Sequence, residues 1–230
     1  MFRTSANQLA NFAAAVAAHE SLDRICLVDA RTARKPNALL EAAAVRRISC
    51  MRIERCVLDA ESISALARLL QCGSLKRLVL DCGDFPHSEA SLPVLCAALR
   101  DCHTLTYLKL RLNPPHGANR DSVTELLDAA ASLPALSVLD LNDSWLQDKV
   151  AAGSAFGALL SANMPSLRTL CVRDCNLGDV GLAPLLDGLV ANTHLHWLRC
   201  CSGNNVSNAF ERNRVLPALA VLAARRRLAA

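Results

Sequence analysis

Apolar positions along this chain fall into a repeating pattern. Seven times an apolar residue is followed by others three and five places on: Leu22/Ile25/Leu27, Ile48/Met51/Ile53, Leu75/Leu78/Leu80, Leu105/Leu108/Leu110, Leu136/Leu139/Leu141, Leu167/Leu170/Val172 and Leu195/Leu198/Cys200. The starts lie 26 to 31 residues apart. The last two members of each triplet are two places apart and share one face of a strand, so each triplet predicts a short strand with one buried side. A near-constant period of this length predicts a solenoid, whose units bury their apolar sides only against neighbours.

The stretch before each strand carries a second pattern. Apolar residues precede the start Leu195 by 13, 10, 9 and 6 places, at Leu182, Leu185, Leu186 and Leu189. That spacing is one face of a helix. The same offsets give Leu92, Leu95, Cys96 and Leu99, then Val123, Leu126, Leu127 and Ala130, then Leu9, Phe12, Ala13 and Val16. Before Leu167 the face is shifted by one, at Phe156, Leu159 and Leu160. Each unit is therefore a strand, a turn and a helix. The predicted fold is an α/β solenoid of about seven units, a horseshoe with a parallel sheet on its concave face and helices on its convex face. It is expected to form a single repeat domain over 1–230.

The two ends need separate arguments. Arg3 followed by ANFAAAVAA loosely resembles a signal or transit peptide. However, Leu9, Phe12 and Val16 keep the helix register, and Asn7, Gln8 and Asn11 interrupt the apolar run. Residues 5–19 are thus expected to be the helix of a partial first repeat. At the other end, Val215, Leu219 and Leu222 lie 13, 9 and 6 places before Leu228. Residues 204–230 are expected to be an atypical last unit or the start of a further repeat, with Arg225, Arg226 and Arg227 as a candidate polar cap.

Two units extend the pattern: Ile48 leads on to Cys56 and Leu58, and Leu167 to Cys175 and Leu177. Completed in this way, the motif resembles that of the leucine-rich repeat family, in its ribonuclease-inhibitor-like class, over nearly the whole chain. Other units depart from the resemblance. Asn113 is followed by Pro115 in place of leucine, and Ala30, Gly83, Ser144 and Gly203 stand where Asn or Cys is expected. These departures predict a less regular hydrogen-bonded turn after strands one, three, five and seven. The resemblance implies a protein without catalysis, acting as an inhibitor, scaffold or recognition domain, with a protein partner on the concave sheet.

Composition narrows the function further. The chain is 52% hydrophobic but has no run of 18 apolar residues, so no membrane span is expected. Its net charge of +4 is too mild to imply nucleic acid by itself. The eleven cysteines are odd in number and follow the repeat. Cys72 and Cys102 precede strand starts by three, Cys56 and Cys175 hold the turn position, and Cys96 and Cys200 fall on inward sites. This placement suits reduced thiols acting as small buried apolar groups, and hence a cytoplasmic location. The glycosylation-like triplets at Asn142 and Asn205 then have no meaning.

Candidate chemistry is sparse, with no phosphate-binding, zincin or nucleophile-elbow motif. The densest group of ligand types is His194, His196, Cys200 and Cys201. Tetrahedral coordination needs four converging side chains, whereas neighbours along a strand alternate faces. No metal, cofactor or catalytic residue is expected.

The informative positions lie two, four and six places after each start, facing out of the sheet. They are Arg24, Cys26 and Val28; Cys50, Arg52 and Glu54; Arg77, Val79 and Asp81; Tyr107, Lys109 and Arg111. Val138, Asp140 and Asn142; Thr169, Cys171 and Arg173; and Trp197, Arg199 and Cys201 complete the set. The single tyrosine and one of the two tryptophans fall here, and Trp145 lies at the rim beyond the fifth strand. Aromatics with arginines anchor protein interfaces. The expected partner-binding set is Arg52, Arg77, Tyr107, Lys109, Arg111, Asp140, Trp145, Arg173, Trp197 and Arg199. Three rival readings remain. One is a GTPase-activating or other regulatory protein acting through Arg120 in the 113–121 loop. Another is the sensing or autoinhibitory part of a larger receptor or effector, and the third is RNA binding by the outward arginines, although a protein rather than nucleic acid is the expected partner. Nothing in the pattern names the partner or an oligomeric state.

Overall fold

The computed structural model describes residues 6–29, 36–82, 91–111, 121–144, 146 and 148–228. Strands and helices alternate in the predicted order. They are α1 (Ala6–Ala18), β1 (Arg24–Val28), α2 (Asn37–Val45), β2 (Cys50–Glu54), α3 (Ala60–Gln71), β3 (Arg77–Asp81), α4 (Ser91–Arg100) and β4 (Tyr107–Leu110). Then follow α5 (Asp121–Ala131), β5 (Val138–Asp140), α6 (Lys149–Ser161), β6 (Thr169–Cys171), α7 (Gly178–Ala191) and β7 (Trp197–Arg199). The last unit continues into a short helix α8 (Asn208–Phe210), a π-helical turn (Glu211–Val215) and α9 (Leu216–Leu228). All seven strands pair in parallel in one sheet, in chain order. Each strand occupies ~4.8 Å of sheet while each helix is wider, so the sheet takes the inner side of the α/β solenoid.

The leucine triplets build the core. Every second and third triplet member is buried, from Ile25 and Leu27 through Leu198 and Cys200. The helix faces at Leu92/Leu95/Cys96/Leu99, Leu182/Leu185/Leu186/Leu189 and Phe156/Leu159/Leu160 are buried as the spacing requires. Asp59 caps α3 by accepting the Ser62 N–H at 2.9 Å, and Asp148 caps α6 by accepting the Ala151 N–H at 3.0 Å. One helix expectation fails. Phe12 is expected inward but is 43% exposed; among the described residues α1 packs against one helix, α2.

The turns after the strands are more regular than the sequence suggests. A buried side chain in each described turn donates to the carbonyl of the last triplet residue of the preceding unit. Cys56 Sγ reaches Leu27 O at 3.8 Å, Cys82 Sγ reaches Ile53 O at 3.7 Å, and Ser144 Oγ reaches Leu110 O at 3.4 Å. Cys175 Sγ reaches Leu141 O at 3.1 Å, and Asn204 Nδ2 reaches Val172 O at 2.6 Å. The expected irregularity after strands three, five and seven is thus corrected. Cys82 serves one place before Gly83, Ser144 serves in place, and Asn204 serves one place after Gly203. The left-handed residue of the turn shifts with it. It is Asp29, Arg55, Asp143 or Asp174 in four units, with φ of 61°, 52°, 60° and 55°, and Gly203 at φ 66° in the last. The turns at Ala30 and Asn113 lie outside the described residues.

Helices α6 and α7 meet backbone to backbone. A Cβ on Gly153 would lie 2.2 Å from Gly181 O, one on Gly157 2.5 Å from Pro184 O, and one on Gly188 2.2 Å from Gly157 O. Contact through glycine puts the pair at or below the short end of the ~8–10 Å separation that side chains usually impose.

Candidate functional site

Strand register sorts the outward residues into rows. One row runs Arg24, Cys50, Arg77, Tyr107, Val138, Thr169, Trp197. The next runs Cys26, Arg52, Val79, Lys109, Asp140, Cys171, Arg199. Beyond them, Val28, Glu54 and Asp81 align at the strand ends. Arg111, Asn142, Arg173 and Cys201 follow two residues after the second row in their own units. The expectation that all of these face solvent is corrected at two positions. Val79 and Cys171 are buried, at 4% and 5% exposure. Each is a short side chain between longer ones in its row: Arg52 and Lys109 flank Val79, and Asp140 and Arg199 flank Cys171.

The first row carries both aromatics. Tyr107 is half-buried; the Arg77 guanidinium stacks 3.4 Å from its ring centroid, and its hydroxyl donates to Asp140 Oδ2 at 3.4 Å. Burial, together with the Asp140 carboxylate, pushes the phenol above its ordinary range. Trp197 is 51% exposed, and Arg226 from α9 lies 3.6 Å from its ring centroid. The two rings are three strands apart, about 14 Å at ~4.8 Å per strand. Arg226 is a site residue that sequence reasoning missed. It was grouped with Arg225 and Arg227 as a polar cap, but α9 returns against β7, where Arg225 donates to the Asn192 carbonyl and Arg226 covers one tryptophan face.

The remaining predicted residues divide by charge. Arg52 pairs with Glu54 at 2.6 Å, and this hydrogen bond raises its already high pKa. Arg111 pairs with Asp81 at 3.4 Å and donates through Nε to Asp143 O at 3.1 Å. Asp140 accepts the Asn142 N–H at 3.1 Å as well as the Tyr107 hydroxyl. Lys109, Arg173 and Arg199 have no side-chain hydrogen bond or ion pair among the described residues. Trp145 and Arg120 lie outside the described residues.

All eleven cysteines are free thiols. Burial pushes Cys82, Cys96 and Cys175 up to about 12. Cys200 and Cys201 differ because their side chains take opposite faces, one buried and one exposed. The two neighbours split each other's titration: Cys201, together with burial, raises Cys200, and Cys200 lowers Cys201 below the ordinary thiol range. Among the described residues no group of three or more His, Cys, Asp or Glu converges as a metal site, and His194 and His196 join no such group. Only the thiolate reacts with an alkylating reagent, so its rate follows the ionised fraction. Iodoacetamide should therefore modify exposed Cys201 at neutral pH faster than Cys82, Cys96 and Cys175, which burial shields and keeps protonated. Peptide mass spectrometry against time reads this directly; equal rates at pH 7 would show that Cys201 is neither exposed nor lowered.

No family model matches the sequence, and no curated protein matches it. Among solved structures it is similar to an internalin from Listeria monocytogenes, at 13% identity over 95% of this chain and 96% of that one, with a TM-score of 0.23. A likeness of that size carries no argument about this chain. The α/β solenoid rests on the parallel sheet and the repeat register themselves. Among the described residues no helix is long and apolar enough to cross a membrane.

Proposed function

We propose that the chain is a cytoplasmic protein-interaction module of the ribonuclease-inhibitor-like leucine-rich repeat type, without catalysis, binding a protein partner through its concave sheet. One observation carries this reading. The only tyrosine and an exposed tryptophan share one outward row of the sheet, each with an arginine stacked on its ring. Rigid aromatic area beside guanidinium groups is the composition of interface hot spots. Eleven unpaired thiols support a reducing compartment.

Trp197→Ala and Tyr107→Ala should each weaken a captured partner by about 2 kcal/mol. Trp197→Ala should leave the melting temperature close to that of the parent, since the ring is half exposed. Asp187→Ala on α7 should not change binding. The measurement is affinity capture with the intact chain, followed by titration of the captured protein against each variant. A partner that binds the double aromatic variant as tightly as the parent would place the interface elsewhere.

A further inference from the structure

The outward rows hold more cations than they use. Arg24, Arg52, Arg77, Lys109, Arg111, Arg173 and Arg199 face three acids, Glu54, Asp81 and Asp140. Each acid is already engaged: Glu54 by Arg52, Asp81 by Arg111, and Asp140 by Tyr107 and the Asn142 N–H. The surplus gathers over the last four strands. Lys109, Asp140, Cys171 and Arg199 are consecutive in the second row, and Arg173 lies two residues along β6's chain from Cys171. Register sets Arg199 beside the buried Cys171 and Lys109 two strands from it, with Asp140 between.

We propose that this surface takes an acidic polypeptide segment, lying across β4 to β7 in extended form, with its carboxylates on Lys109, Arg173 and Arg199. The inference rests on the concave-face reading above and adds the chemistry of the partner. Spacing supports an extended chain. Lys109 and Arg199 stand three strands apart, about 14 Å at ~4.8 Å per strand. Residues four apart on one side of an extended peptide stand about 13–14 Å apart at ~3.4 Å per residue. Charge order favours protein over nucleic acid. Asp140 lies between Lys109 and Arg199, where a phosphate track would place like charge against it. A peptide backbone instead presents N–H groups that the Asp140 carboxylate accepts.

Fluorescence anisotropy tests this with a labelled Glu-Ser-Gly-Ser repeat peptide, the same peptide with Gln for Glu, and an oligouridylate of equal charge. The glutamate peptide should bind at least tenfold more tightly than the glutamine peptide. Arg173→Glu and Arg199→Glu should each weaken it about tenfold, a loss of ~1.4 kcal/mol. Arg100→Glu, at an exposed site on α4, changes net charge equally and should weaken it less than twofold. Equal losses for Arg100→Glu and Arg199→Glu overturn the proposal, since net charge alone would then explain binding. Oligouridylate binding as tightly as the glutamate peptide, and losing affinity in the same variants, overturns it in favour of nucleic acid. If the glutamate peptide fails while a captured partner still depends on Trp197 and Tyr107, the acidic-segment inference falls and the docking reading stands. If the peptide binds through Arg173 and Arg199 while captured partners ignore both aromatics, the basic surface stands and the aromatic hot spot falls.

Discussion

Gly188→Ala is expected to destabilise the protein by about 3 kcal/mol, at or above the upper end of ordinary overpacking. The sign is what makes this informative. On an isolated helix, Gly to Ala stabilises by ~1 kcal/mol, so without a clash the variant would be more stable than the parent. Here the added carbon would sit 2.2 Å from the Gly157 carbonyl oxygen and 2.7 Å from its Cα. Both are backbone atoms, so no side chain can rotate away, and α6 and α7 must move apart. Gly153→Ala should behave alike, against the Gly181 carbonyl at 2.2 Å. Gly73 supplies the control: its φ is +70°, but nothing lies within 4 Å of an added Cβ. Gly73→Ala should cost only the left-handed penalty of ~1–2 kcal/mol. Urea unfolding of the three variants measures the differences. Stabilisation by Gly188→Ala would mean that α6 and α7 do not meet through their backbones.

That helix contact marks where sequence reading reached its limit. The strands were legible because the leucine triplets recur at fixed offsets, and each inward member is buried where the period places it. The helices were legible for the same reason, wherever a helix has neighbours on both sides to bury its face. Phe12 fails that condition, since among the described residues α1 packs against one helix, α2. Glycines carry no hydrophobic signal, so the close approach of Gly153, Gly157, Gly181 and Gly188 could not be seen in an apolar pattern. The turn ladder was only half legible. Searching at one fixed offset finds Cys56 and Cys175, but a shift of one residue moves the donor to Cys82 in one unit and to Asn204 in another.

Legibility of the outward sheet face followed the same division. Row membership is a matter of strand period, and Arg77, Tyr107, Lys109, Asp140, Trp197 and Arg199 fall into the predicted rows. Which of those side chains are already engaged depends on neighbours one unit away in space. Tyr107 lies between Arg77 and Asp140, and Trp197 lies under Arg226, whose position no strand pattern specifies. The burial of Val79 and Cys171 likewise depends on what stands beside them on adjacent strands: Arg52 and Lys109 flank Val79, and Asp140 and Arg199 flank Cys171.

Asn204→Ala is expected to cost the most of any single polar substitution, about 4 kcal/mol. Its buried amide makes four hydrogen bonds. Nδ2 donates to the Val172 and Cys200 carbonyls, both at 2.6 Å, while Oδ1 accepts the N–H of Cys175 at 3.1 Å and of Leu177 at 3.2 Å. Alanine leaves these backbone groups short of a partner inside the core, and each buried polar group so stranded costs about 1–3 kcal/mol. The amide spans two units, so its loss should also loosen the last one. Strand β7 and helix α9 should then exchange amide hydrogens well before the central strands, and Arg226 should leave Trp197. Asn204→Cys should recover part of the loss. A thiol at this position can donate to the carbonyl of the preceding unit, as Cys56 and Cys175 do, but it offers the two N–H groups little in return. The ordering parent, Cys, Ala in unfolding midpoints is the expected result. Equal midpoints for all three would show that Asn204 does not tie the last two units together.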